Sequence, residues 1–181
     1  MRMALAISAA LLVCATPAVA QGKTKSAPAG AAEAVKALEV CETFARGDVL
    51  ATQSATEQGW DAYEQASESP FVKSYAGGKD LAGIGPANLF SLVETYPQGI
   101  FGYCRVDVSG PTGSKGAAVV RAIATLPRYG GDVRATDAGD FASLQGIGNT
   151  GTMLLTHWTA DAFVIQLTIV TPRAAPVAGG V

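Results

Sequence analysis

Two of the three cysteines restrict most strongly what this chain can fold into. Cys41 and Cys104 lie far apart in the sequence, and neither belongs to a Cys-x-x-Cys motif. In an oxidising compartment such a pair is expected to form a disulfide, whereas the alternative is two buried free thiols. A bridge over this span would stabilise the fold by about 4 kcal/mol. The spacing does not indicate thiol–disulfide catalysis.

The amino-terminal residues predict that the chain is exported to an oxidising compartment. Residues 1–20 combine a positive charge at Arg2, a short apolar run over 4–13 and a small-residue cleavage site at 18–20, which is typical of a secretory signal peptide. The run is shorter than the ~20 residues that span a bilayer. A lipoprotein signal at Cys14 is disfavoured because bulky Val13 precedes it. We therefore expect an exported protein, periplasmic or extracellular, with no membrane span after cleavage.

Composition predicts one folded domain after the signal. The chain has 181 residues, of which 49% are hydrophobic and 15% charged, so it can bury a core. Residues 21–30 and 172–181 are rich in Ala, Pro and Gly and are expected to be a flexible leader and a flexible tail. Residues 31–171 are then a single domain.

The charge totals disfavour nucleic acid as a partner. The formal net charge is −2, with no basic excess. The distribution is uneven, because residues 31–70 are strongly acidic and residues 105–134 are basic. Such a division can steer a partner, or it can hold helices against a sheet.

Three helices are predicted from apolar spacing and end signals. The first covers 31–46 and ends at Gly47, and the second covers about 49–68 with an interruption near Gly59. The third covers about 115–126, with Ser114 as its cap and Pro127 as its end.

Strands are predicted as a hairpin and a meander. The hairpin joins 88–96 to 100–108 through Pro97-Gln98-Gly99, and the meander comprises 141–145, 152–159 and 163–171. Residues 71–75 are a short strand or an extended stretch, and residues 129–139 are a loop. A pairing of Thr159 with Ala162 places Leu154, Thr156 and Trp158 opposite Leu167, Ile165 and Phe163 on a buried face. The last strand is expected at the centre of the sheet.

The order of these elements predicts an α+β fold. We expect an antiparallel sheet of about five strands, a hairpin plus a meander, with three helices packed mainly on one face. Cys104 pointing inward would meet Cys41 on the first helix.

Glycine-rich segments give little evidence for a cofactor. Residues 146–151 match G-x-G-x-x-G, but a strand pattern follows where a dinucleotide site needs a helix, so we expect a hairpin turn and no cofactor. Residues 110–116 precede the third helix, where Ser114 and Lys115 are a weak candidate anion site. No metal site is predicted, since the chain has a single histidine.

His157 is the catalytic candidate, because it is the only histidine and any Ser–His or Cys–His mechanism would have to use it. Ser143 or a nearby carboxylate would have to lie within hydrogen-bond reach. A carboxylate pair is the other catalytic arrangement considered. The acids at 57, 61, 64 and 68 are instead expected to form a solvated stripe on the second helix.

Aromatic and arginine side chains suggest a candidate ligand-binding rim. Its members would be Trp60, Tyr63, Tyr103, Arg105, Arg121 and Arg128. The same aromatic residues also fit the edge of a core, and for Trp60 a core position is favoured over a ligand-binding one.

Three function classes remain. The favoured one is a noncatalytic exported module that binds a protein, a peptide or a cell-envelope component; the alternatives are a small hydrolase and a carrier of a small apolar ligand. The predicted outward sheet face is apolar enough for a homodimer or another covering partner. It carries Met153, Leu155, Val164 and Val170.

Overall fold

The structure, a computed structural model, describes residues 29–113 and 115–173. The predicted signal peptide, most of the leader and tail, and Ser114 lie outside these residues. The helices are α1 (Ala29–Ala45), α2 (Ala51–Glu57) and α3 (Gly116–Ala124). The strands are β1 (Asp61–Gln65), β2 (Val72–Leu81), β3 (Gly85–Tyr96), β4 (Gly99–Ser109), β5 (Tyr129–Thr136), β6 (Gly139–Gly146), β7 (Asn149–Trp158) and β8 (Ala162–Pro172).

All eight strands form one antiparallel sheet in the order β1-β2-β3-β4-β8-β7-β6-β5. The predicted α+β class is confirmed, but the prediction of about five strands is too low. A helical region followed by a four-stranded meander occurs twice in the chain, first as α1, α2 and β1–β4, then as α3 and β5–β8. The two meanders meet where β4 pairs with β8, which confirms the last strand as a central one.

The sheet has two chemically different faces because successive side chains of a strand point to opposite sides. On the inner face, Cys104 and Leu167 are fully buried beneath the helices. The outer face carries their chain neighbours Arg105 and Gln166. Helix α1 packs on β3, β4 and β8, whereas α3 packs on β5, β6 and β7.

The predicted disulfide is present and joins α1 to the middle of β4. The Cα atoms of Cys41 and Cys104 are 5.3 Å apart, and both residues are fully buried. Two residues before Cys104, the chain has Gly102, where a Cβ atom would lie 1.7 Å from the Ala45 carbonyl oxygen. The end of α1 therefore rests directly on the backbone of β4, at a position that only glycine permits.

The predicted register of the last two strands is confirmed. Trp158 pairs with Phe163, and their rings are 5.5 Å apart on the inner face. The Thr159 amide donates to the Ala162 carbonyl at 2.8 Å, which closes the turn. The other inner residues of β7 and β8 follow at alternate positions. They are Leu154, Thr156, Ile165 and Leu167.

The predicted helix over 49–68 is wrong beyond Glu57. Gly59 adopts a φ of +84°, which ends α2, and residues 61–65 continue as β1. Glu57 therefore belongs to a helix, while Asp61 and Glu64 lie on a strand, so the predicted acidic stripe does not form. The three- and four-residue spacing of the acids resembled a helix face, but β1 is an exposed edge without an apolar stripe.

Two further strands replace predicted turns and loops. Strand β2 continues through Gly77-Gly78, and β5 occupies most of the predicted loop at 129–139. The β3–β4 hairpin has a two-residue turn, because Tyr96 pairs with Gly99. Cys104 nevertheless points inward, where it meets Cys41 as expected. At the ends of the predicted domain, α1 begins at Ala29, within the expected leader, and β8 includes Pro172, within the expected tail.

Candidate functional site

The outer face of the sheet is open, because no helix of the described residues covers it. Several large apolar side chains lie there and remain accessible, including Phe90 at 43%, Met153 at 52%, Leu155 at 38% and Val170 at 41% exposure. The prediction of an apolar outward face agrees with this arrangement. Val164 also has this orientation but is buried, between Asp107 on β4 and His157 on β7.

A polar cluster occupies the middle of the outer face. The Arg105 guanidinium donates to both Asp107 carboxylate oxygens, with Nε–Oδ2 at 2.7 Å, and its NH1 donates to Gln166 Oε1 at 3.1 Å. The hydrogen bonds to Asp107 raise the pKa of Arg105. Because its charge is already paired with Asp107, the Arg105 side chain is held in one position on the outer face.

His157 lies beside this cluster with its ring 5.7 Å from the ring of Phe141. Partial burial lowers the pKa of His157, and the nearby Arg105 charge lowers it further, while Asp107 opposes the shift. The neutral form of the imidazole is therefore favoured. Within the described part of the chain, no side-chain hydrogen bond joins His157 to Ser143 or to a carboxylate.

A groove of about 430 Å³ runs over the outer face at β5, β6 and β7, and we call it the β5–β7 groove. Its polar and charged side chains come from all three strands, and its apolar ones from β6 and β7. The lining side chains on this face are Asp132, Arg134, Phe141, Ser143, Leu155 and His157.

The chemistry of this groove is mixed. Asp132 and Arg134 lie two residues apart on one face of β5, and neither forms an ion pair with any described residue. Arginine can bind a carboxylate in a bidentate manner, and aspartate can accept from an amine. Phe141 and Leu155 supply apolar surface between them and the sheet centre. The groove can therefore contact a segment that carries charges of both signs beside an apolar group.

The sequence did not single out Asp132, Arg134 or Phe141. Residues 131–136 alternate small or apolar residues with polar ones, which is a strand signal. This alternation was obscured by Gly130-Gly131, which resemble a loop. Only the pairing of β5 with β6 brings Arg134 beside Phe141.

The predicted ligand-binding rim is divided by the sheet. Tyr103 and Arg105 lie on the outer face near its centre, and Tyr63 lies on the same face at the β1 edge. Trp60, by contrast, is buried in the core, and Arg121 is exposed on α3. The structure therefore does not bring these residues into one site.

Arg128, the remaining member of that rim, belongs to a structural network. Its Nε donates to Glu42 Oε1 at 2.7 Å, and the Tyr129 hydroxyl donates to the same oxygen at 2.6 Å. Glu42 is 5% exposed. Burial and this hydrogen bond raise the pKa of Tyr129 strongly. The network fastens α1 to the beginning of β5.

The candidate anion site at Ser114 and Lys115 lies at an acidic end of α3. Ser114 lies outside the described residues, and Lys115 is exposed just before α3. A groove of about 360 Å³ at this end of α3 is lined by Asp137 and Asp140, whose carboxylates would repel an anion.

Buried apolar side chains form one cluster between the helices and the sheet. Phe44, Leu38, Ile123 and Phe163 are among the largest that are completely buried. A carrier of an apolar ligand would need an enclosed cavity there. A third groove, of about 300 Å³ beside exposed Phe71, lies at the surface near the β3–β4 turn.

Among residues 29–113 and 115–173, no cluster of His, Cys, Asp or Glu has the composition of a metal site. In the same ranges, no helix is long and apolar enough to cross a membrane. No protein-family model, curated protein or solved structure matches the chain.

Proposed function

We propose that this protein is an exported, noncatalytic module that binds a protein, a peptide or a cell-envelope component through its outer sheet face. The observation that carries this proposal is the asymmetry of the sheet, whose inner face is covered by helices and whose outer face exposes several apolar side chains. The Cys41–Cys104 disulfide and the absence of a membrane-spanning helix among the described residues are compatible with export.

The distribution of side chains on the outer face supports a binding role. Phe90, Met153, Leu155 and Val170 come from three different strands and surround the Arg105–Asp107–Gln166 cluster. Several exposed apolar side chains gathered on one face of a protein are typical of an interaction site. The paired charges fix the middle of the surface and limit the cost of covering it.

The β5–β7 groove makes the β5 border of this surface chemically different from its middle. It places Asp132 and Arg134 at the β5 border and Leu155 toward the middle of the sheet. An extended partner segment can place apolar side chains on Leu155 and charged ones at the β5 border. Peptide or protein is therefore the partner class that the chemistry favours.

The experiment compares two double variants that each remove two exposed apolar side chains. Met153→Ser with Leu155→Ser changes the outer face, whereas Val49→Ser with Leu50→Ser changes the exposed segment before α2. Immobilised protein of each kind is incubated with cell-envelope extract, and the bound components are identified by mass spectrometry. Circular dichroism melts verify that both variants fold.

A component that binds the unchanged protein and the Val49/Leu50 variant, but not the Met153/Leu155 variant, is the expected result. Equal capture by both variants would contradict a binding role for the outer face. Capture of no component by the unchanged protein would also contradict the proposal.

A small hydrolase is the second candidate, because the β5–β7 groove places a neutral imidazole and the Ser143 hydroxyl in one groove. A general base of this kind must take the serine proton at hydrogen-bond distance. Hydrolysis of ester or peptide substrates that is lost in both His157→Ala and Ser143→Ala would support it. Activity that survives either substitution would rule out this pair.

A further inference from the structure

The two edges of the sheet differ in length and charge. Strand β1 has five residues and carries Asp61 and Glu64 but no basic residue. Strand β5 has eight residues, is exposed from Gly131 onward, and carries one acid and one base. An edge strand presents backbone N–H and C=O groups that can pair with another strand. Among the described residues, no strand pairs with the open side of either edge.

The charges of β5 are arranged symmetrically about one residue. Asp132 and Arg134 flank Val133, and both side chains belong to the outer face. In an antiparallel pair, residues directly opposite each other have side chains on the same face. A strand with this pattern is therefore complementary in charge to a second copy of itself.

We propose that β5 pairs antiparallel with β5 of a second copy of this chain, in a register centred on Val133. Asp132 then lies opposite the partner's Arg134, and Arg134 lies opposite the partner's Asp132. Val133, which is 52% exposed, meets the partner's Val133 on the other face. Ala135 lies opposite the partner's Gly131, so no bulky pair opposes this register.

The other edge has no such complementarity. Strand β1 carries no base, Asp61 and Glu64 lie on opposite faces of it, and Glu64 is already paired with Lys73 of β2 at 3.5 Å, so two β1 strands side by side would form no pair of unlike charges. The β5 edge is therefore the one that suits a second copy. This symmetric contact closes after two chains, which gives a dimer with one continuous sheet.

This inference goes beyond the proposed function, because it requires no external partner. In the dimer, Asp132 and Arg134 pair with the second copy, and the apolar residues of β7 remain for an outer-face partner. The β5–β7 groove borders the β5 edge, so the dimer would bring the grooves of two copies together across the two-fold axis. The dimer and the outer-face partner are tested by separate measurements. Mass measurements test the first, and capture by the Met153/Leu155 variant tests the second.

Charge reversal provides the main experiment, with molecular mass followed by analytical ultracentrifugation from low to high micromolar concentration. The unchanged chain is expected to reach the dimer mass. Asp132→Arg alone, or Arg134→Asp alone, places like charges opposite each other twice and should raise the dimer dissociation constant at least about tenfold. The double variant Asp132→Arg/Arg134→Asp should restore dimerisation. An equimolar mixture of the two single variants should also restore it, as a heterodimer.

A cysteine experiment tests the register. In a Cys14→Ser background, Val133→Cys should form a disulfide-linked dimer under mild oxidation, because residue 133 faces itself. Ala135→Cys should remain unlinked, since the two copies of residue 135 would be separated by about four strand residues, on the order of 13 Å.

Asp61→Arg, on the β1 edge, is the control and should leave the mass unchanged. A chain that is monomeric throughout the concentration range would overturn the proposal. A dimer that survives both single reversals, or that the double reversal fails to restore, would overturn it as well.

Discussion

The inner and outer faces of this sheet are made by the same strands but differ in what their residues contribute. Leu154 on β7 is completely buried beneath a helix, whereas Leu155, the next residue, is 38% exposed on the open face. Inner residues gain from burial and from contact with α1 or α3. Exposed outer residues lose less contact with water on folding and remain available to a partner. Successive residues of a strand therefore contribute in turn to stability, on the inner face, and to the proposed binding surface, on the outer face.

The largest expected effect on the inner face is loss of the disulfide. Replacing Cys41 and Cys104 together by Ser should lower the free energy of unfolding by about 4 kcal/mol, because the bridge closes a loop with a sequence separation of 63 residues. Urea denaturation of the unchanged protein, with and without reductant, provides the matching measurement. A decrease under 1 kcal/mol would show that helix packing alone fixes α1 on the sheet.

The two neighbouring leucines test the comparison directly. Leu154→Ala should cost about 3 kcal/mol of stability, because it leaves a cavity under α3. Leu155→Ala should cost about 1 kcal/mol or less, since its side chain is partly in water. Urea midpoints at constant slope measure both values. Equal losses would mean that the outer face is as important for folding as the inner one.

Glu42 should be the most sensitive charged residue. Glu42→Ala leaves the Tyr129 hydroxyl and the Arg128 Nε without their acceptor and should lower the free energy of unfolding by about 2 kcal/mol. Glu39→Ala is the matched control, because that carboxylate is mostly exposed and lies 3.9 Å from Arg128 NH2. Comparable losses in thermal denaturation would contradict a specific role for the buried carboxylate.

Thr156→Val should stabilise the protein by about 1 kcal/mol. Thr156 is 2% exposed on the inner face, and its hydroxyl oxygen has no hydrogen-bond partner among the described residues. Valine has the same shape and removes the unsatisfied polar atom. The control, Thr168→Val on the outer face, should change the unfolding midpoint little. A lower midpoint for Thr156→Val would show that the hydroxyl is satisfied in solution.

The smallest effect is expected from pH at His157. Its pKa is lowered from the ordinary 6.5, so the folded protein favours the neutral ring. This contribution to stability is fully present above pH 6.5 and is lost as the pH falls from 6.5 through the lower pKa of the folded state. Because the chain has one histidine, proton NMR follows this titration directly. A measured pKa at or above 6.5 would contradict the described surroundings, and His157→Gln should remove the corresponding pH dependence.

Elements that bury an apolar face could be predicted from the sequence. The third helix is one case, since it was predicted from apolar spacing and its residues Val119, Val120 and Ile123 are buried. The β7–β8 register followed from the inward alternation that ends in Trp158 and Phe163. The disulfide followed from the cysteine count and the predicted export.

Edge strands could not be predicted in the same way. Both β1 and β5 expose most of their side chains, so no core selects apolar residues there. The β5–β7 groove was missed for this reason, because Asp132 and Arg134 acquire neighbours only when β5 pairs with β6. The outward apolar residues of β7 and β8 were found, since their position follows from the buried residues between them.

The central position of β8 has a consequence for when the protein can assemble during synthesis. Strand β8 pairs with β4 on one side and with β7 on the other, and it lies near the carboxyl-terminal end of the described residues. Until β8 has been synthesised, β4 has no partner on one side, and the second meander lacks the strand through which it joins the first. Completion of the sheet therefore awaits the carboxyl-terminal part of the chain. A chain stopped before residue 162 would contain ten of the eleven helices and strands, yet it would lack the one that joins its halves.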